Sequence, residues 1–281
     1  MSQDKYSAVW ISYSGLSTFQ KCPRAYYLQY VYKDPQTRRK ISEMTPQLAL
    51  GQVVHNTIEP LANVPAEKRF DQPVLDIFER WWATVSGQQG GFQTAEEEAE
   101  MKERGRAMIT RVVEHPGPLA NKATRIPETA SGMPPNFYLS EDENIILCGS
   151  IDWLEYLEDT DSVHIIDFKT GKREEEGDSL QLPIYLLLAR ELQSRPVARA
   201  SYWYLDRSDT LDEKQLPEYR EAFDRVLGEA KKLKDAREAK AFACPQGGSC
   251  FACSSFEKIL AGEATYIGHN EMNKDVYVVP R

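Results

Sequence analysis

The spacing of apolar side chains divides the chain into a helical beginning, an extended middle and a mixed end. Leu16, Phe19, Tyr26, Tyr27 and Tyr30 follow Ser14 at helical intervals, and Pro23, suited to a first helical turn but not to an interior, predicts a second helical segment opening there. Helical patterns continue over 47–61, 71–85 and 94–114, with the Gly-rich stretch 87–91 dividing the last two. The middle changes period. Segments 137–140, 144–156 and 162–170 are short, rich in Ile, Leu, Val and aromatic residues, and bounded by Pro, Gly, Asp and Asn, which predicts strands. A helix over 179–192, a strand over 198–205, a charged helix over about 211–239 and a compact Cys-rich end complete the pattern. This order predicts an α/β fold with a central mixed β-sheet flanked by helices. One domain is expected over 1–281, comprising a helical N-terminal region (1–120), a sheet core (121–205) and a long helix with a Cys-rich cap (206–281).

The 281 residues suffice for one sizeable core or two small ones, and 41% hydrophobic with 27% charged residues is the balance of an ordinary globular protein. The longest nearly apolar run, Leu180 to Ala189, contains Gln181 and Pro183 and falls well short of the ~20 residues a bilayer span needs, so no membrane span is expected. The opening MSQDKYSAVW lacks the basic and apolar parts of a secretory leader. A cytoplasmic location follows as the expectation, and with it reduced thiols that act as ligands or core residues. The net charge of −9 argues against coating nucleic acid by bulk electrostatics. Local contact stays open, because positive charge gathers at 33–40 (KDPQTRRK) and 231–240 (KKLKDAREAK), although such runs also read as solvated faces.

The segment GSIDWLEYLEDTDSVHIIDFKTGK, residues 149–172, carries the candidate chemistry. Two strands joined by a tight turn at Asp159 and Thr160 set Asp152 opposite Asp167, with both carboxylates on one face of the sheet. Lys169, two residues beyond Asp167, shares that face. Facing carboxylates repel, so a purely structural role is awkward unless a cation lies between them. Oxygen ligands of this type suit Mg²⁺ or Mn²⁺ together with substrate phosphate, and the neighbouring lysine can orient or deprotonate an attacking water. The bland alternative is a pair of strand-end carboxylates with a solvated lysine. His164 alternates with Asp167 and is expected to point away from the site. Gln181 and Tyr185, four apart on one helix, share a face.

These residues resemble a known family. G-x-I-D at 149–152, I-I-D-F-K-T-G at 165–171 and Q-x-x-x-Y at 181–185 look like the PD-(D/E)XK nuclease superfamily in its RecB-like branch. The resemblance extends upstream to S-Y-S-x-L-x-x-F-x-x-C-P-x-x-Y at 12–26 and G-x-x-x-H at 51–55, so that the motifs span residues 12 to 253. It implies a restriction-endonuclease-like core in which His55, Asp152, Asp167 and the main-chain carbonyl of Phe168 hold the divalent metal. It also implies that Lys169 acts on the water, that Glu128 corresponds to the family's upstream glutamate, and that Gln181 and Tyr185 reach the bound strand or the lysine.

Cys244-x5-Cys250-x2-Cys253, with Pro245, Gly247 and Gly248 between, forms a tight loop suited to wrapping an ion or cluster. By resemblance to RecB-like nucleases, Cys22 supplies a fourth thiolate and the four hold a [4Fe-4S] cluster that pins the C-terminal segment to the first helix. In the family the longer gap commonly follows the C-x2-C pair; here it precedes it. Four thiolates alone also suit Zn²⁺, which is the alternative. Cys148 lies in a strand and is expected to pack as a small apolar residue.

The expected function is a metal-dependent deoxyribonuclease, an exonuclease on single-stranded DNA or DNA ends in recombination, repair or phage- or CRISPR-type DNA processing. The alternative is a non-catalytic DNA-end-binding or assembly module of a larger recombination complex. A third reading is a nuclease active only with a helicase partner; the sequence has no G-x4-G-K-[ST] loop, so any ATP-driven unwinding comes from elsewhere. Tyr26, Tyr27, Tyr30 and Tyr32 beside the 33–40 run offer stacking surfaces for bases or fill core.

Overall fold

A computed structural model describes residues 5, 7–127 and 133–281. The chain opens with β1 (Val9–Ile11), α1 (Tyr13–Lys21) and α2 (Pro23–Tyr26), which widens into a π turn over Tyr27–Val31. Next come β2 (Ile41–Glu43), α3 (Pro46–Ile58), α4 (Val74–Thr84) and α5 (Ala95–Glu114). The strands β3 (Ala123–Thr124), β4 (Asn136–Ser140), β5 (Ile145–Cys148), β6 (Trp153–Leu157) and β7 (Ser162–Lys169) follow. After α6 (Gln181–Leu192) the chain forms β8 (Val197–Tyr204), β9 (Asp212–Lys214), α7 (Tyr219–Glu238), α8 (Ser254–Leu260), β10 (Thr265–His269) and β11 (Asp275–Val278). No helix among the described residues is long and apolar enough to cross a membrane.

The fold is α/β, with a five-stranded mixed sheet in the order β3-β6-β7-β8-β9 flanked by helices. β7 and β8 run parallel, and α6 is the crossover that parallel neighbours require. β7 is buried from Ser162 to Phe168, which explains a nearly continuous apolar run where a half-exposed strand would alternate. The alternation of side chains across the sheet divides two cores. Leu154, Ile165, Ala200 and Tyr202 face α6 and α7, whereas Trp153, Ile166, Phe168 and Trp203 face α3, α4 and α5. A third, smaller core joins the α2 region to the C-terminal segment through Leu28, Ile41, Phe256 and Ile259.

Several boundaries differ from the pattern for identifiable reasons. Ser12, not Ser14, caps α1, its Oγ accepting the Gly15 N–H at 3.2 Å. Segment 144–156 is two strands: β5 pairs with β4 and β1 in a separate three-stranded sheet, and residues 149–152 carry the chain across to β6. The long helix begins at Tyr219 because Asp212–Lys214 pairs with the edge of β8 and Pro217 intervenes. The hairpin β10-β11, which adds β2 as a parallel third strand, is too short to show a period. Pro183 sits in the first turn of α6, where its missing N–H leaves no bond unmade.

Candidate active site and cysteine centre

The hairpin has the expected register, with Trp153 opposite Ile166 and Leu154 opposite Ile165. Asp152 stands one residue ahead of β6, and its Oδ2 accepts the Phe168 N–H at 2.8 Å, standing in for a ladder partner. Asp167, 3% exposed, is held through one oxygen. Its Oδ1 accepts the Tyr185 hydroxyl at 2.8 Å and Gln181 Nε2 at 2.9 Å, and Gln181 Nε2 also donates to the Tyr185 hydroxyl at 3.1 Å. The shared face of α6 therefore orients a single carboxylate. Oδ2 of Asp167 is buried without an aligned hydrogen bond, although Lys169 Nζ stands 3.0 Å away.

Lys169 Nζ also donates to Gln181 Oε1 and to Glu175 Oε2, the latter at 3.1 Å, and lies 4.7 Å from the Tyr202 ring centre. Burial disfavours the ammonium, but Asp167 and Glu175 outweigh it and raise the lysine pKa. Lys169 is thus held as a cationic donor. Glu175, in the loop before α6, carries no periodic signal in the sequence and was not expected in the site. Its Oε1 accepts Ser179 Oγ at 2.6 Å and the Tyr13 hydroxyl, and its N–H donates to the Tyr204 hydroxyl at 3.0 Å. Burial works against the Glu175 carboxylate, yet the bonds from Ser179, Tyr13 and Lys169 bring its pKa below the ordinary value.

His55 arrives from α3 on the opposite side of the sheet. Gly51, one turn earlier, lets α3 approach the loop after β7, because a Cβ there would lie 3.3 Å from Thr170 Oγ1. His55 Nδ1 meets Glu59 Oε1 at 2.7 Å and Asp152 Oδ2 at 3.6 Å. Burial opposes the imidazolium, but Glu59 and Asp152 prevail and raise the pKa to about 9. Asp152 is pushed the other way, well above the ordinary carboxyl range, by burial and by the charge of Asp167. One ligand atom each from His55, Glu59 and Asp152 fall within 4.8 Å of one another. Asp167 is outside that trio, its free oxygen turned to Lys169. Glu59 was not singled out in the sequence; its signal was the i,i+4 spacing from His55. The donor set, imidazole nitrogen with hard carboxylate oxygens and one orphaned buried oxygen, fits a divalent cation of the Mg²⁺ or Mn²⁺ type. Phe168, whose carbonyl was expected among the ligands, packs its ring against Trp153 and Trp203.

Glu128 lies outside the described residues. His164 points to the face opposite Asp167, between Glu155 Oε2 and Ser201 Oγ, both at 2.8 Å. The thiols of Cys22, Cys244, Cys250 and Cys253 lie within 4.8 Å of one another although Cys22 is far away in sequence. Cys22 ends α1 and precedes Pro23, so the break between the two helices aims its thiol at the C-terminal loop. Burial pushes the Cys22 thiol up to about 12. Burial also opposes a Cys250 thiolate, but the Ala252 and Cys253 N–H groups overcome it and lower Cys250 to about 7. Four convergent thiols that form no disulfide fit a soft metal centre, iron-sulfur or zinc alike. Cys148 stands apart, half-buried rather than in the core, its thiol donating to the Ile11 carbonyl at 3.3 Å.

The sequence model of the PD-(D/E)XK nuclease superfamily matches residues 10–255, from β1 through the last of the four cysteines. The chain belongs to this superfamily. No curated protein matches its sequence. Membership in the PD-(D/E)XK superfamily indicates a metal-dependent nuclease, and the buried carboxylates beside Lys169 are the part of the molecule suited to that chemistry.

Proposed function

We propose that this PD-(D/E)XK protein is a RecB-like exonuclease that hydrolyses phosphodiester bonds of single-stranded DNA or DNA ends, with residues 1–281 acting as one nuclease domain. The observation that carries the reading is the one-sided anchoring of Asp167: Gln181 and Tyr185 hold Oδ1, while Oδ2 is left beside Lys169. Mg²⁺ or Mn²⁺ would be held by His55, Asp152, Asp167 and the Phe168 carbonyl, with Glu59 beside His55. Such an ion, when bound, makes water nucleophilic near neutral pH and offsets charge on the phosphate. The protein's own groups set the geometry. Gln181 and Tyr185 fix the Asp167 rotamer, the Phe168 N–H fixes Asp152, and Lys169, gripped by Glu175, donates to the attacking water or to a phosphate oxygen.

Four thiolates on Cys22, Cys244, Cys250 and Cys253 would hold a [4Fe-4S] cluster, with Zn²⁺ as the competing occupant. A helicase, or a recombination or CRISPR-type assembly, would present the strand. The deciding experiment is degradation of end-labelled DNA with Mg²⁺ or Mn²⁺. Lys169→Ala and Asp167→Ala are each expected to slow cleavage at least about 100-fold, the scale of removing one preorganised electrostatic interaction. Full activity in either variant would overturn the reading.

A further inference from the structure

Away from the nuclease centre, cations gather where the π turn, the end of α7 and the C-terminal hairpin meet. Lys40 is partly buried within the field of Lys274, Arg237 and Lys33; burial and these like charges together depress its pKa. Lys274 is depressed by burial as well. Nearby acids are already engaged. Glu257 pairs with Arg24, Asp275 with Arg39, and the Asp34 side chain accepts the N–H groups of Gln36 and Thr37. In the 231–240 run, Lys231 and Lys234 share Glu143, Lys234 also reaches Glu238 and Lys232 pairs with Glu229, which leaves Arg237 and Lys240 without a carboxylate partner among the described residues. A chain of net charge −9 has carboxylates to spare, so a cluster of cations left without carboxylate partners here suits an external anion.

Beside this cluster a cleft is lined by Tyr27 and Phe242, which pack against each other as one wall, together with Arg24, Arg237 and Lys240. The two rings lie 5.2 Å apart between centres. Tyr30, with Lys274 Nζ 5.5 Å from its ring centre, stacks on Tyr26 and continues the aromatic surface toward α1. Arg237 gives one N–H to the Tyr26 hydroxyl at 3.2 Å, which leaves most of its guanidinium fork for a ligand. Lys240 adopts a left-handed conformation, φ 52°, costly for a residue with a Cβ, and so ends α7 at the mouth of the cleft.

Cations alone suit any polyanion, whereas ring faces beside them suit unpaired bases, which a duplex hides in its own stack. We propose that this cleft binds a stretch of single-stranded DNA outside the nuclease centre, with bases on the wall formed by Tyr27 and Phe242 and phosphates on Arg237, Lys240, Lys40 and Lys274. The choice of DNA rests on the nuclease reading; the test does not use cleavage. The 33–40 run thus contributes Lys40, Tyr27 precedes it directly in the chain, and Arg237, Lys240, Phe242 and Lys274 come from the far end of the sequence.

The test is fluorescence anisotropy with a labelled oligo-dT and a duplex of equal length, in EDTA, across a salt series. The wild-type protein is expected to prefer the single strand. Arg237→Ala with Lys240→Ala should weaken binding about tenfold and flatten the logarithmic salt dependence by about 0.7 for each phosphate no longer neutralised. Phe242→Ala should weaken single-strand binding about tenfold with the salt dependence unchanged. Lys240→Glu, at an exposed position, guards against misfolding as the cause and should weaken binding about tenfold, while Lys40→Met should weaken binding without lowering Tm. Unchanged affinity in Lys240→Glu and Phe242→Ala would overturn the site, as would equal binding of duplex and single strand. Cation- and aromatic-dependent binding by a protein that cleaves no DNA with Mg²⁺ or Mn²⁺ would leave the site standing and remove the nuclease reading. Cleavage accompanied by variant-insensitive binding would do the reverse.

Discussion

His55 and Glu59 stand one helical turn apart, and a carboxylate on Nδ1 both orients the ring and makes it basic. A histidine must be neutral to bind a metal, so a divalent ion held by His55 would compete with a proton whose pKa is raised to about 9. Because the pKa is raised, the proton is present through the neutral range and lost as pH rises through about 9. Mg²⁺ affinity should therefore climb with pH by about tenfold per unit per displaced proton and level off above that point. Isothermal titration at pH 7 in buffers of different ionisation enthalpy should register the released proton; uptake or no exchange would contradict it. Glu59→Gln removes both effects. The variant should bind Mg²⁺ about 10–100-fold more weakly at pH 9, the usual loss for an orienting carboxylate, and the deficit should narrow at pH 7, where the wild-type ring still carries its proton. Glu175 acts on the lysine instead. Glu175→Gln should lower kcat by about tenfold or more with KM little changed, and Glu175→Asp should recover part of it, because the ammonium loses a charged anchor rather than its substrate. Equal losses in kcat and in Tm for the two variants would mean a structural role only.

At the scale of elements, the hairpin β6-β7 and helix α6 were legible because each obeys a simple period: two for the strands, and four between Gln181 and Tyr185. Those periods put Asp167 with Lys169 on one face of the sheet and Gln181 with Tyr185 on one face of the helix, whereas the bonds from the helix pair to Asp167 Oδ1 were not in the pattern. Glu175 was invisible since its position depends on a loop folding back to Tyr13, 162 residues earlier. The strand break at 149–152 was hidden for a related reason: β5 and β6 are both apolar, and only their different partners, β1 and β4 against β3 and β7, separate them. His164, expected only to face away, joins three strands through Glu155 on β6 and Ser201 on β8, a link no single-strand pattern contains. Helix packing adds a testable close approach. A Cβ on Gly105 in α5 would lie 2.6 Å from Phe78 Cζ and 3.0 Å from Leu50 Cδ1, so the glycine sets the spacing of α3, α4 and α5. Gly105→Ala should destabilise by about 1–3 kcal/mol in urea unfolding despite the better helix propensity of alanine. An unchanged or raised midpoint would mean that Phe78 simply moves aside.

For the whole molecule, the decisive link is the convergence of Cys22 with Cys244, Cys250 and Cys253, which ties the N-terminal helices to the segment after α7. The apolar core at that junction is small, built around Leu28, Ile41, Phe256 and Ile259, so a metal held by the four thiols would contribute much of its order. A ligand set that closes the chain from residue 22 to 244 should stabilise the folded state by about 5 kcal/mol on chain-entropy grounds alone. Tyr27 and Phe242, the rings proposed to receive bases, lie within a few residues of Cys22 and Cys244, so loss of the centre should also loosen the cleft. Cys22→Ser tests both consequences at once, since the serine is nearly isosteric and disturbs little besides the ligand. The variant should lose bound metal and melt about 10 °C lower or more. Tryptic cleavage should become faster within 240–281, while amide exchange along β6, β7 and β8 stays slow because that sheet draws on the two larger cores. Metal analysis and visible absorption of the anaerobically purified wild-type protein then separate iron-sulfur from zinc. Retention of full metal content and wild-type Tm by Cys22→Ser would show that the three C-terminal cysteines suffice and that the two ends are joined by packing alone.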